Sequence, residues 1–149
     1  MWIMDTDGGN SCFLGCTVES NAIMAQHNEL GKWGEEYAAC HLRRQGYDIM
    51  ERDWRIGHRD IDIIARTPDG RTIVFVEVKT RTSDTLKSPD DAVDIRKIRN
   101  IGFAANAYVK QLNVLDPLRF DIITVVGDND DNAQLEHTVD AFNPCMAYR

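Results

Sequence analysis

The 149-residue chain has no uninterrupted apolar run approaching the roughly 20 residues needed to cross a bilayer. Its opening stretch, "MWIMDTDGGNSCFLGCTVES", has neither a basic start nor a long apolar core, so it does not read as a secretory signal. The expectation is a cytoplasmic protein with no membrane partner. Cysteine is scarce: Cys12, Cys16, Cys40 and Cys145. Cys12 and Cys16 stand four apart, but no second ligand pair nearby completes a zinc site, and reduced, structurally ordinary thiols are expected. Positive charge is also short. The formal net charge is -7, which argues against strong non-specific binding of nucleic acid over the whole surface. The deficit is uneven. Lys32 to Lys110 carries 15 basic and 13 acidic residues, and the remainder two basic and 11 acidic. The middle of the chain can present a local basic surface while the ends repel phosphate.

What is present starts after a long patternless stretch. Residues 1–27 show no sustained period and read as a flexible N-terminal extension, with Asn28 capping a first helix to about Gln45 and Gly46 ending it. Trp33, Ala38 and Leu42 lie broadly on one side of that helix. Glu35 shares this inward face, whereas Glu36 is turned one step away and reads as ordinary surface charge. Strands follow at Tyr47–Ile56, with Ile49 and Trp54 facing the core, then at "RDIDIIAR" and "RTIVFVEVKTR". The strong turn "TPDG" makes a hairpin of the last two. Apolar residues on both parities of the second hairpin strand imply a sheet covered on both faces. "SPDD" predicts a helix start with Ser88 as cap, and Ile98, Ile101, Ala105 and Tyr108 form its apolar stripe to about Lys110 or Gln111. "RFDIITVV" is a further strand, "DNDDN" a turn or flexible acidic loop, and "AQLEHTV" a short edge strand.

The hairpin carries charges where valine or isoleucine would pack better. By strict alternation Asp60, Asp62 and Ile64 face one way and Ile61, Ile63 and Ala65 the other, while Glu77 and Lys79 share the face of Ile73 and Phe75. The hairpin can bring Asp62 beside Glu77. Two neighbouring carboxylates in a partly dry site repel one another and pay for desolvation, a conflict that a divalent cation removes. Magnesium suits such oxygen ligands together with phosphate, and manganese is expected to substitute. Lys79 can hold a water or a phosphate oxygen, and Glu35 can reach the same cavity from the helix. On these residues alone two readings stand side by side: a phosphate-processing metal site, and structural ion pairs in which Glu77 pairs with Lys79 and Asp62 caps a turn or meets an arginine.

"GKWGEEYAACHLRRQGY", "DWRIGHRDIDIIA", "VFVEVKTR", "DAVDIRKI" and "RFDIITV", in this order between about Asn28 and Val126, resemble the YraN-like family of predicted endonucleases. That family lies within the PD-(D/E)XK, restriction-endonuclease-like superfamily, and its members resemble Holliday-junction resolvases in fold. The resemblance implies a three-layer α/β/α fold with a central mixed β-sheet. It also implies a single nuclease-like domain over 28–149, with a variable segment from about 127. It matches Asp62, Glu77 and Lys79 to the nuclease core and Glu35 to the helix carboxylate. Asp62 and Glu77, with the Val78 carbonyl, would hold Mg2+, Lys79 would orient the attacking water, and Glu35 would assist through a water or a second metal. Asp60 stands where the family usually has glutamate, which points to an outer role. Lys97 matches a basic position of the family helix and is a candidate phosphate contact. Arg81, Arg55, Arg59 and Lys87, near the strand ends, are further candidates. The implied activity is magnesium-dependent hydrolysis of phosphodiester bonds, leaving phosphate on the 5′ end, in DNA that is branched or otherwise structured. A homodimer would supply paired centres. The alternatives are a non-catalytic nucleic-acid-binding protein on the same scaffold and a protein-interaction module. Trp54 is expected to pack rather than stack on bases. His58 belongs to its turn, and Arg119 and Asp121 are expected to pair with other charges.

Overall fold

The structure, a computed structural model, describes residues 23–82 and 94–145. In chain order the elements are α1 (Ile23–Arg44), β1 (Asp48–Ile56), β2 (Arg59–Arg66), β3 (Ile73–Arg81), α2 (Ile95–Leu112), β4 (Leu118–Val126) and β5 (Gln134–Thr138). The N-terminal stretch up to residue 22, with Cys12 and Cys16, lies outside the described residues, as do Lys87 and the predicted cap at Ser88. Two helix starts differ from expectation. α1 begins at Ile23, so Asn28 sits inside it. α2 begins at Ile95 behind Asp94, whose side chain accepts a hydrogen bond from the Arg96 N–H. The helix ends follow their local chemistry. Gly46, at φ 89°, lets its own N–H and that of Tyr47 close on the Arg43 and Leu42 carbonyls.

The five strands form one mixed sheet in the order β1-β2-β3-β4-β5. β1–β2, β2–β3 and β4–β5 are antiparallel, and β3 runs parallel to β4. That parallel pair requires a crossover, and α2 lies on it. The β2–β3 turn is built as its sequence predicts. The Gly70 N–H reaches the Thr67 carbonyl at 2.8 Å, and the Asp69 side chain accepts from the Thr67 hydroxyl and the Arg71 N–H.

Helices cover both faces, giving three layers. On one face Trp33, Ala38, Ala39 and Leu42 of α1 pack on Ile63, Ala65, Val74, Val76, Ile123 and Val125. On the other Ala104, Ala105 and Tyr108 of α2 pack on Ile61, Ile64, Ile73 and Phe75. Burying a side chain of this size stabilises by about 1.5–3 kcal/mol, so the double-sided apolar strand β3 anchors the fold. Cys40 is fully buried in α1 and Cys145 is exposed. The acidic loop after β4 is an ordered turn. Asn132 Oδ1 accepts from the Asp128 and Asn129 N–H groups, and Asp130 accepts from Trp33 Nε1 at 2.7 Å, tying the loop to α1.

Strict alternation fails where the charges cluster. Ile61 packs on the α2 side and Ile63 on the α1 side, although they stand two apart on β2. On the neighbouring strand Arg52 reaches Glu36 of α1, while Trp54 packs against Tyr108 of α2 at 5.3 Å between ring centres. Both strands therefore reverse phase, at Asp62 and at Asp53, and Asp53 has φ 48°. A left-handed residue adds the local turn that period-two reasoning leaves out. Ile49 packs on the α1 side and Trp54 on the α2 side, so both reach the core, on opposite faces.

Candidate active site

The β2–β3 ladder pairs Arg66 with Ile73 at the turn and stops at Ile63–Val76. Beyond that point the strands part. Asp62 spans the gap: its Oδ2 accepts the Val78 N–H at 2.8 Å, replacing a ladder bond with a carboxylate. Asp62 is only 8% exposed. Glu77 lies across the split with an 11% exposed side chain. The β3–β4 ladder continues without a shift from Ile73–Leu118 to Arg81–Val126, so Glu77 and Lys79 keep the same face. Lys79 is half-buried beside Thr124 in that ladder.

α1 enters the split from the other face. Gly34 is the close-approach point, because a Cβ there would collide with the Thr80 side chain. Its neighbour Glu35 is thereby set within the field of Asp62, Asp53 and Asp60. Glu36 is not plain surface charge. It accepts from Arg52 Nη1 at 2.7 Å, pairs with Arg43 at 3.5 Å and accepts from Cys40 Sγ, fastening α1 to β1. Burial opposes its ionisation, but these partners hold its pKa below the usual range.

The electrostatics of the split are frustrated. Burial and the charge of Asp62 push Glu77 up to about 8, against the pull of Lys97. Burial raises Asp62, despite the Val78 N–H. Burial and the three aspartates raise Glu35 to about 7. Oε2 of Glu77 is buried without a hydrogen-bond partner. Such a donor set, rich in oxygen and short of protons, fits a small hard cation. Among the described residues, however, no group of three His, Cys, Asp or Glu side chains is arranged to hold a metal ion, so the fit rests on the Asp62–Glu77 pair.

The basic candidates are distributed unevenly. Lys97 of α2 lies inside the site, its Nζ 3.5 Å from Asp60 Oδ1 and 3.6 Å from Glu77 Oε1. Arg55 is exposed and held by both carboxylate oxygens of Asp53, at 3.1 and 3.0 Å. Arg59 stacks over Phe103 of α2 at 4.1 Å, and its Nε is buried without a partner. Arg81 ends β3, where its carbonyl accepts the Gly127 N–H. His58 is exposed in the β1–β2 turn. Asp121 lies outside the split and is fully buried. It accepts two bonds from Arg119, one from the Asp140 N–H and a contact from His137 at 2.8 Å, and Arg119 also donates to the Tyr47 hydroxyl.

The profile of the Uncharacterised protein family UPF0102 matches residues 34–125. The chain belongs to this family. The match begins at Gly34 and covers the whole split, from Glu35 through Lys97, and the strand that carries Asp121. UPF0102 proteins similar to the chain include one from Bacteroides thetaiotaomicron, 46% identical over 81% of this chain and 98% of the relative. One from Porphyromonas gingivalis is 47% identical over 80% and 87%, and one from Syntrophomonas wolfei is 40% identical over 78% and 99%. UPF0102 membership agrees with the YraN-like, restriction-endonuclease-like resemblance and with the three-layer fold. No helix among the described residues is long and apolar enough to cross a membrane.

Three features of this UPF0102 site escaped strand and helix periodicity: the anchoring role of Glu36, the Gly34–Thr80 approach and the insertion of Lys97 between two carboxylates. Gly34 did leave a signal, because a glycine inside a helix costs about 1 kcal/mol relative to alanine and so asks for a packing reason.

Proposed function

We propose that the chain is a magnesium-dependent endonuclease that hydrolyses phosphodiester bonds, with branched or otherwise structured DNA as substrate. The observation that carries this reading is the strand split in which Asp62 and Glu77 face each other, buried, with raised proton affinity and an oxygen lacking any donor. Asp62, Glu77 and the Val78 carbonyl are the groups that would hold Mg2+ or Mn2+, and the chemistry supplied by the bound ion is electrostatic polarisation of the phosphodiester.

The chain's own residues do the rest. Asp62 is held toward β3 by the Val78 N–H. Glu35, with a pKa near neutrality at about 7, is suited to take a proton from the attacking water at ordinary pH. Lys79, on the face of Glu77, orients that water and offsets charge growing on the phosphate. Arg59, stacked on Phe103, is the arginine that would meet the nucleic-acid backbone, and that stacking limits its freedom. Cutting both strands of a duplex needs two such centres, which a two-fold dimer provides.

A non-catalytic nucleic-acid-binding role is favoured by one observation, the absence of a three-ligand cluster among the described residues. A panel of single strands, duplexes, flaps, gaps and four-way junctions, with magnesium or manganese, separates the two. Cleavage by the parent and its loss in Lys79→Ala and Glu77→Ala, with both variants folded, is the expected result. If the two variants cut as the parent does, the assignment is wrong. If no form cuts but all bind structured DNA, the binding role replaces it.

A further inference from the structure

Lys97 stands between two carboxylates of the site. Its ammonium lies 3.5 Å from Asp60 Oδ1 and 3.6 Å from Glu77 Oε1. Both separations exceed the usual N–H···O bond of about 2.7–3.2 Å, so charge holds the group more than directional bonding does. Its side chain is about a third exposed and projects from the first turn of α2, so solvent lies within reach of the flexible stem. Its partners sit on β2 and β3, on either side of the split, and Glu77 keeps its second oxygen without a donor. One tethered cation thus answers two carboxylates incompletely.

Resting on the reading of Asp62 and Glu77 as a cation-binding pair, we infer that Lys97 is an exchangeable counter-ion: it balances Asp60 and the ionised form of Glu77 in the cation-free protein and is released onto a nucleic-acid phosphate when a divalent cation enters. The same charge then acts with opposite sign on two ligands. It competes with the cation and, once displaced, reinforces the polyanion. Binding of cation and nucleic acid becomes cooperative through a single side chain. A lysine serving only as a structural pair has no such coupling, and a lysine serving only as a phosphate contact acts whether or not the cation is present.

The test uses the full chain, Lys97→Met, which keeps an apolar stem, and Glu77→Gln. Magnesium affinity is measured by calorimetry without nucleic acid. Binding of one DNA duplex is then measured with and without calcium, across a salt series. Lys97→Met should bind magnesium about three- to tenfold more tightly than the parent, the equivalent of losing competition from two partly buried ion pairs. It should bind the duplex like the parent without calcium. With calcium it should bind about tenfold more weakly, with a salt dependence smaller by about one phosphate contact. Equal magnesium affinities, or a duplex defect independent of calcium, overturn the inference while leaving the metal pair intact. If the parent, Lys97→Met and Glu77→Gln all fail to bind magnesium or manganese, the pair itself is wrong and the inference falls with it. Nitrogen NMR of the lysine ammonium groups in the parent supplies a check that needs no variant. The Lys97 signal should move as magnesium is added, and a signal that stays in place overturns the exchange.

Discussion

Replacing Glu77 by glutamine should make the cation-free protein more stable at pH 8, although it removes a group at the centre of the site. Burial and Asp62 move the Glu77 carboxyl from 4.5 to about 8. Each tenfold change in proton affinity corresponds to about 1.4 kcal/mol, so the full displacement is an upper bound of about 4–5 kcal/mol against the ionised, folded form. Asp62 shares the repulsion and the neighbourhood relaxes, which leaves about 2–3 kcal/mol for glutamine to relieve. The attraction of Lys97 is already contained in that displacement, so no further loss is subtracted. The net gain is about 2–3 kcal/mol, or a rise in Tm of about 4–10 °C for a domain of this size. The sign follows from proton binding. Between 4.5 and about 8 the folded carboxyl binds more protons than the unfolded one, so the parent loses stability as pH rises through this window. The advantage of Glu77→Gln should therefore nearly vanish at pH 5. Magnesium should restore the parent at pH 8 but not the variant. Thermal and urea unfolding at the two pH values, with and without magnesium, measure this. A variant less stable than the parent at pH 8 without divalent cation would refute the claim of a strained carboxylate pair.

Two further outcomes probe the frame around the site. Gly34→Ala should destabilise the fold by about 1–3 kcal/mol in urea unfolding, because the added methyl meets Thr80 where α1 crosses β3, and an unchanged midpoint would refute the close approach. Asp121→Asn should cost about 3 kcal/mol at neutral pH, since Arg119 and His137 lose their buried partner. Burial opposes ionisation of Asp121, but the bonds from His137 and Arg119 hold its pKa below 3.8. Its stabilisation is therefore present above that value and lost as pH falls through the depressed one, so parent and variant should converge in acid. Curves that stay parallel down to acid unfolding would contradict that sign.

Much of the architecture was written locally. The apolar parities of β2 and β3, the Thr67–Gly70 turn, the stripe of Ile101, Ala105 and Tyr108 and the Gly46 stop each depend on neighbours within a few residues, and periodicity and backbone sterics act over that range. The ordered motifs from "GKWGEEYAACHLRRQGY" to "RFDIITV" carried the family as well. Tertiary contacts decided the rest. The phase reversal at Asp53 and Asp62 arises from two strands bending together, so alternation along either one placed Ile61 on the wrong face. Glu36 read as surface because Arg52 lies on another element, and Arg119 found Asp121 locally but Tyr47 only through folding, as Asp121 found His137. The raised proton affinities of Glu35, Asp62 and Glu77 have the same origin. Desolvation and repulsion depend on distance in space, and the sequence separates Glu35 by 27 residues from Asp62, whose field folding brings onto it.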